Sequence, residues 1–83
     1  MTSLTMYSRP GCHLCDEMKA VVRRVTRDMS VSFSEVDIST DPVLEEQYGL
    51  EIPVLMVNGK KAAKYRVRDD DLIAILRGRN AIG

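Results

Sequence analysis

An alternating run, Leu4-Thr5-Met6-Tyr7-Ser8, breaks at Arg9-Pro10-Gly11, and apolar residues resume at helical spacing just beyond it. Alternation puts successive side chains on opposite faces of a strand, and the Arg-Pro-Gly stop reads as a loop. From Leu14 the apolar positions are Leu14, Met18, Val21, Val22, Val25 and Met29, one face of an amphipathic helix, with Lys19, Arg23, Arg24 and Arg27 elsewhere on it. Both cysteines of the chain and its single histidine fall at this junction, in Pro10-Gly11-Cys12-His13-Leu14-Cys15. A strand that delivers a cysteine to a helix start restricts the fold and the chemistry together.

The rest of the chain extends that arrangement. Val31 to Ile38 has strand composition, so the first three elements predict a βαβ unit. Asp41-Pro42 supplies an N-cap and a first helical residue for a short helix over Pro42 to Tyr48, with Gly49 expected to end it in the left-handed conformation. Ile52 to Val57, Asn58-Gly59 and Lys60 to Tyr65 read as two strands joined by a tight hairpin turn. Asp69-Asp70-Asp71 then opens a closing helix through Leu72, Ile73, Ile75 and Leu76, with a stop expected at Gly78. The order β-α-β-α-β-β-α, with a parallel pair first and an antiparallel pair second, describes one α/β domain over residues 1–83.

Eighty-three residues hold a single small core, with no room for a substrate domain or a large lid. Twelve Lys and Arg balance twelve Asp and Glu, which argues against nucleic acid or an anionic membrane as the partner. The first residues lack the basic and apolar blocks of a signal peptide, and no apolar run approaches the roughly 20 residues of a membrane helix. A cytoplasmic monomer is therefore expected. In that reducing setting, cysteines two residues apart are reactive or metal-binding more often than they are structural.

A nucleophilic sulfur must be thiolate, and the free N–H groups and positive dipole end of a helix N-terminus favour that form at Cys12. Cys15, three residues on along the same helical surface, is placed to attack a mixed disulfide formed at Cys12 and release the second thiol. His13 either modulates the neighbouring thiolate when protonated or is simply solvated. Arg9 reads equally as a carboxylate clamp or as a surface charge. Tyr7 fits packing against the sheet better than a place beside the dithiol.

The element order, Cys12-x-x-Cys15 opening the first helix, and Ile52-Pro53 before the third strand together resemble the thioredoxin fold in its small glutaredoxin-like form, built on a four-stranded mixed sheet. The resemblance covers essentially the whole chain. It implies a thiol-disulfide oxidoreductase that reduces protein or glutathione mixed disulfides, with Cys12 and Cys15 catalytic and no tightly bound cofactor. Its implied partners are a disulfide-containing protein substrate and a thiol reductant, either glutathione as co-substrate or a reductase. The family's spacing of Tyr, basic residue and first Cys matches Tyr7, Arg9 and Cys12, which gives Arg9 the glycyl carboxylate of glutathione. Ile52 and a cis Pro53 would pair with the substrate backbone as an added strand. Asp70 and Asp71 match the Asp pair at the last helix start. Two positions depart from the pattern: His13 and Leu14 stand where Pro and an aromatic are common, and Val67 and Arg68 stand at the Gly-Gly pair that lets glutathione approach the backbone.

Gly-Cys-x-x-Cys after a first strand also resembles heavy-metal carrier domains, whose paired thiolates pass a soft ion such as Cu(I) between proteins. That fold runs β-α-β-β-α-β and needs a strand where the last amphipathic helix is read here. Structural zinc normally takes four ligands, more than Cys12, Cys15 and His13 provide, so no resident metal is expected. An iron-sulfur cluster bridging two subunits, known in glutaredoxins, would again need glutathione to complete its ligands.

Overall fold

The computed structural model describes the backbone of residues 2–82 and the side chains of residues 2–78. Strand β1 (Thr2–Ser8) leads into helix α1 (His13–Thr26), and β2 (Val31–Asp37) is followed by a 3-10 turn at Ile38–Thr40. Helix α2 (Pro42–Tyr48), the hairpin strands β3 (Val54–Val57) and β4 (Lys60–Lys64), and helix α3 (Asp69–Ile82) complete the chain. The four strands form one mixed sheet in the order β2-β1-β3-β4, with β1 parallel to β2 and antiparallel to β3. This is the expected thioredoxin-like topology. A helix closes the chain where a metal-carrier fold would place a strand.

The alternation in β1 fixes which face is covered. Leu4 and Met6 point into a core with Cys15, Met18 and Val22 of α1, Leu55 and Val57 of β3, and Leu72 and Leu76 of α3. The three- and four-residue spacing on α1, and the four-residue spacing on α3, put each helix's apolar stripe on that face of the sheet. Helices α1 and α3 are joined at the surface by Arg24, whose Nε and Nη2 donate to the Asp69 carboxylate at 2.6 and 2.7 Å. On the opposite face Tyr7 stacks on Tyr48 of α2, with ring centroids 4.6 Å apart and planes 10° apart.

The Asn58-Gly59 hairpin takes the paired positive φ of a type I′ turn, 51° and 83°. Asn58 also anchors it: its Oδ1 accepts from the Ser3 N–H at 2.9 Å and its N–H donates to the Ser3 carbonyl at 2.8 Å.

Several boundaries differ from expectation. Gly49 has φ −55°, so it continues the α2 geometry and donates to the Glu45 carbonyl instead of reversing into a left-handed cap. Helix α3 runs past Gly78 to Ile82. An interior glycine costs a helix only about 1 kcal/mol relative to alanine, which does not end it unless the backbone also turns left-handed. Met29 lies beyond the end of α1, more than a third exposed, and Tyr65 lies outside β4 with φ 67°.

Candidate dithiol site

The end of β1 and the start of β3 define the site. Their antiparallel register pairs Met6 with Leu55 and Tyr7 with Val54, so continuing it by one residue brings Pro53 opposite Ser8. The Arg9–Gly11 loop that carries the chain to Cys12 therefore runs beside the segment before Pro53. The Ile52-Pro53 bond is cis and Pro53 is buried. Gly11, with φ 77°, makes the turn from β1 into α1.

Cys12 is the N-cap of α1. Its backbone is extended, its carbonyl accepts the first helical bond from the Asp16 N–H at 3.2 Å, and its Sγ accepts from the Cys15 N–H at 3.1 Å. A sulfur in that position satisfies one of the unpaired amides of the first turn, the interaction that most favours a thiolate there. Cys12 and Cys15 are joined as a disulfide, with their Cα atoms 5.2 Å apart. The two sulfurs are unequal: Cys12 is half-buried, whereas Cys15 is only 2% exposed within the core cluster. His13 is the first residue of α1 and is exposed.

Behind Cys15 lies a polar cleft of about 330 Å³, walled by the Ser8–Gly11 loop, Lys19 of α1, and Glu35 and Asp37 of β2. Within it Glu35 receives Lys19 Nζ at 2.7 Å on one oxygen and the Ser8 hydroxyl at 2.8 Å on the other. The Lys19 hydrogen bond, assisted by Ser8 and opposed by partial burial, holds the Glu35 carboxyl below the usual carboxylate range.

Arg9 is already engaged. Its guanidinium pairs with the Glu45 carboxylate of α2 and reaches the Gly49 carbonyl at 3.4 Å, so a ligand carboxylate there would compete with Glu45. Asp70 and Asp71 lie exposed in the first turn of α3, beside Arg68 Nε at 3.9 and 3.4 Å. They are grouped with Arg68 and not with the dithiol network. Val67 and Arg68, at the place of the family's Gly-Gly pair, line a cleft of about 140 Å³ between α1 and the Tyr65–Arg68 segment. Side chains occupy this stretch instead of bare backbone. Among the described residues no three His, Cys, Asp or Glu side chains converge as a metal cluster.

The segment around Ile52 is held by a residue that the sequence reading missed, Tyr65. Among the described residues, neither the N–H nor the C=O of Ile52 has a hydrogen-bond partner. Tyr65 spans the same segment: its N–H donates to the Pro53 carbonyl at 2.8 Å and its hydroxyl donates to the Leu50 carbonyl at 3.1 Å. Nothing in the residue type signals this, because tyrosine is rarely found at positive φ.

The sequence matches the family described as "Glutaredoxin-like domain (DUF836)" over residues 3–77. The chain belongs to this family. Among solved structures, the structural-genomics target protein XcR50 from X. campestris is 33% identical, covers 90% of this chain and 96% of its own, and superposes with TM-score 0.77. Protein Ne2328 from Nitrosomonas europaea is 29% identical, with 89% of each chain covered and TM-score 0.76. Desulfothioredoxin from Desulfovibrio vulgaris Hildenborough, 23% identical over 93% of this chain and 80% of its own at TM-score 0.69, shares the fold. A glutaredoxin-like domain with a Cys-x-x-Cys pair at a helix N-terminus carries a thiol redox function. Among the described residues no helix is long and apolar enough to cross a membrane.

Proposed function

We propose that the protein is a dithiol thiol-disulfide oxidoreductase in which Cys12 is the nucleophile and Cys15 the resolving cysteine. The observation that carries this reading is the inequality of the two sulfurs: Cys12 is accessible and caps α1, while Cys15 is buried one turn further on. In the first step the Cys12 thiolate attacks a substrate disulfide. A Cys12–substrate disulfide forms and the other substrate sulfur leaves as thiolate. Cys15 then loses its proton and attacks the Cys12 sulfur, the second substrate thiolate leaves, and the Cys12–Cys15 disulfide remains. Two electrons have passed to the substrate, and a thiol reductant restores the dithiol. The amides of the first turn of α1 stabilise Cys12 both as attacking and as leaving sulfur.

The unpaired backbone groups of Ile52 support pairing with an extended substrate chain beside Cys12. His13, at the exposed helix start, adds a positive charge near Cys12 when protonated. Glutathione as co-substrate would meet Arg9 only by displacing Glu45 and would meet side chains at Val67 and Arg68, so the site favours a protein disulfide over glutathione.

The test is substitution of each cysteine. Cys12→Ser is expected to abolish turnover of a protein disulfide, while Cys15→Ser accumulates the mixed disulfide, visible by intact mass under non-reducing conditions. Equal residual turnover in both variants would contradict the assigned roles. Equilibration in glutathione buffers of graded potential should show reversible two-electron oxidation of the pair. A pair that stays reduced and copurifies with stoichiometric metal would instead favour a carrier.

A further inference from the structure

Leu50 is 94% exposed, although the backbone on both sides of it is held by hydrogen bonds. The Gly49 N–H donates to the Glu45 carbonyl at 2.8 Å, and the Glu51 N–H donates to the Tyr48 carbonyl at 2.8 Å. Arg9 reaches the Gly49 carbonyl at 3.4 Å, and the Glu51 carboxylate pairs with Lys61 at 2.5 Å. Tyr65 closes the set by binding the carbonyls of both Leu50 and Pro53. It does so at φ 67°, a conformation that costs a tyrosine energy and persists only when its surroundings impose it. Single exposed leucines are common on soluble proteins and by themselves carry no meaning. This one is held in water on a braced backbone, beside the 43% exposed Tyr65 ring and two residues before the open amide and carbonyl of Ile52. An apolar side chain presented on an ordered backbone loses little further freedom when it is covered.

We propose that Leu50, with Tyr65 as its positioning residue, is the docking point for an apolar side chain of a disulfide-bearing polypeptide whose extended backbone pairs with Ile52. This rests on the dithiol reading above and narrows its substrate class to polypeptide disulfides with an apolar residue near the reactive cysteine. Continuity decides the occupant, because the open backbone groups of Ile52 take a peptide strand and Leu50 adjoins them. A small hydrophilic disulfide offers nothing for Leu50 to cover.

The test uses the full chain and a short peptide with leucine next to its cysteine, together with a twin bearing serine in place of that leucine. In redox-inert versions with serine for cysteine, wild type is expected to bind the leucine peptide about tenfold more tightly than Leu50→Ser does, by NMR titration, and to bind the twin as weakly as the variant. Equal affinity of wild type and Leu50→Ser, or of the two peptides, overturns the proposal. Tyr65→Phe, which removes the donor to the Leu50 carbonyl, is expected to weaken the leucine peptide about threefold with less ordered Leu50 and Glu51 amides. Unchanged affinity in that variant overturns the role given to Tyr65. With disulfide-linked peptides, the ratio of kcat/KM for the leucine peptide to that for 2-hydroxyethyl disulfide should fall about tenfold in Leu50→Ser. A wild type that exchanges neither disulfide refutes the dithiol reading, while the inert-peptide affinities still decide the docking proposal.

Discussion

Glu35 shows how one residue ties the sheet to the helix that carries the dithiol. Its carboxylate takes Lys19 from α1 and Ser8 from β1, and the Lys19 bond leads in holding its folded-state pKa below the ordinary glutamate value. A carboxyl with a depressed folded-state pKa stabilises the fold fully above its unfolded value, and that contribution is lost as pH falls through the ordinary value toward the folded one. The side chain is 34% exposed, so solvent screening limits the effect to about 1 kcal/mol or less. Glu35→Gln is expected to melt a few degrees below wild type at neutral pH, with the gap closing below about pH 4. A gap that stays constant down to acid pH would remove Glu35 from this role. The network itself was illegible in the sequence, since nothing local says that positions 8, 19 and 35 meet. The place of Cys12 at a helix start, in contrast, was legible because it depends only on the strand-loop-helix punctuation around it. Spacing alone left Arg9 even between a carboxylate clamp and a surface charge, and nothing local signals that Glu45, thirty-six residues away, pairs with it.

At the scale of elements, α2 is the piece whose stability is most local. Its seven residues bury no side chain fully, and it is closed at its N-terminus by Asp41, whose Oδ1 accepts from the Val43 N–H at 2.9 Å and the Leu44 N–H at 3.4 Å. Its other end feeds directly into Gly49–Pro53. Asp41→Ala removes a cap worth about 1 kcal/mol, which should raise amide exchange across the α2 amides that bond within the helix about fivefold. Exchange there that stays at the wild-type rate while core strands loosen would place the cap's effect elsewhere. The existence and order of all seven helices and strands could be read from periodicity and caps. The ends were harder, because Gly49 and Gly78 continue the helices they were expected to end, and Tyr65 takes a positive φ that its residue type disfavours. Asn58-Gly59 was the opposite case: both residues favour positive φ, so the tight hairpin turn followed from the dipeptide.

For the whole molecule, the question is whether the fold depends on the bridge that the proposed exchange would break in every cycle. The core joins Leu4 and Met6 to Met18, Val22, Leu55, Val57, Leu72 and Leu76, so β1 and β3 are locked to α1 and α3 by apolar packing that does not pass through the cysteine sulfurs. The Cys12–Cys15 loop contains only two intervening residues, and closing so short a loop removes at most about 2 kcal/mol of unfolded-state entropy. If reduced Cys12 is the thiolate proposed above, reduction returns part of that through the helix N-terminus, about 0.3–1 kcal/mol. The dithiol form should therefore remain folded and melt no more than roughly 10 °C below the disulfide form in a chain of this size. Thermal scans followed by circular dichroism, with and without reductant at neutral pH, measure that difference. A protein that lost its cooperative transition on reduction would be one whose disulfide is structural, and a structural bridge cannot be opened in every turnover.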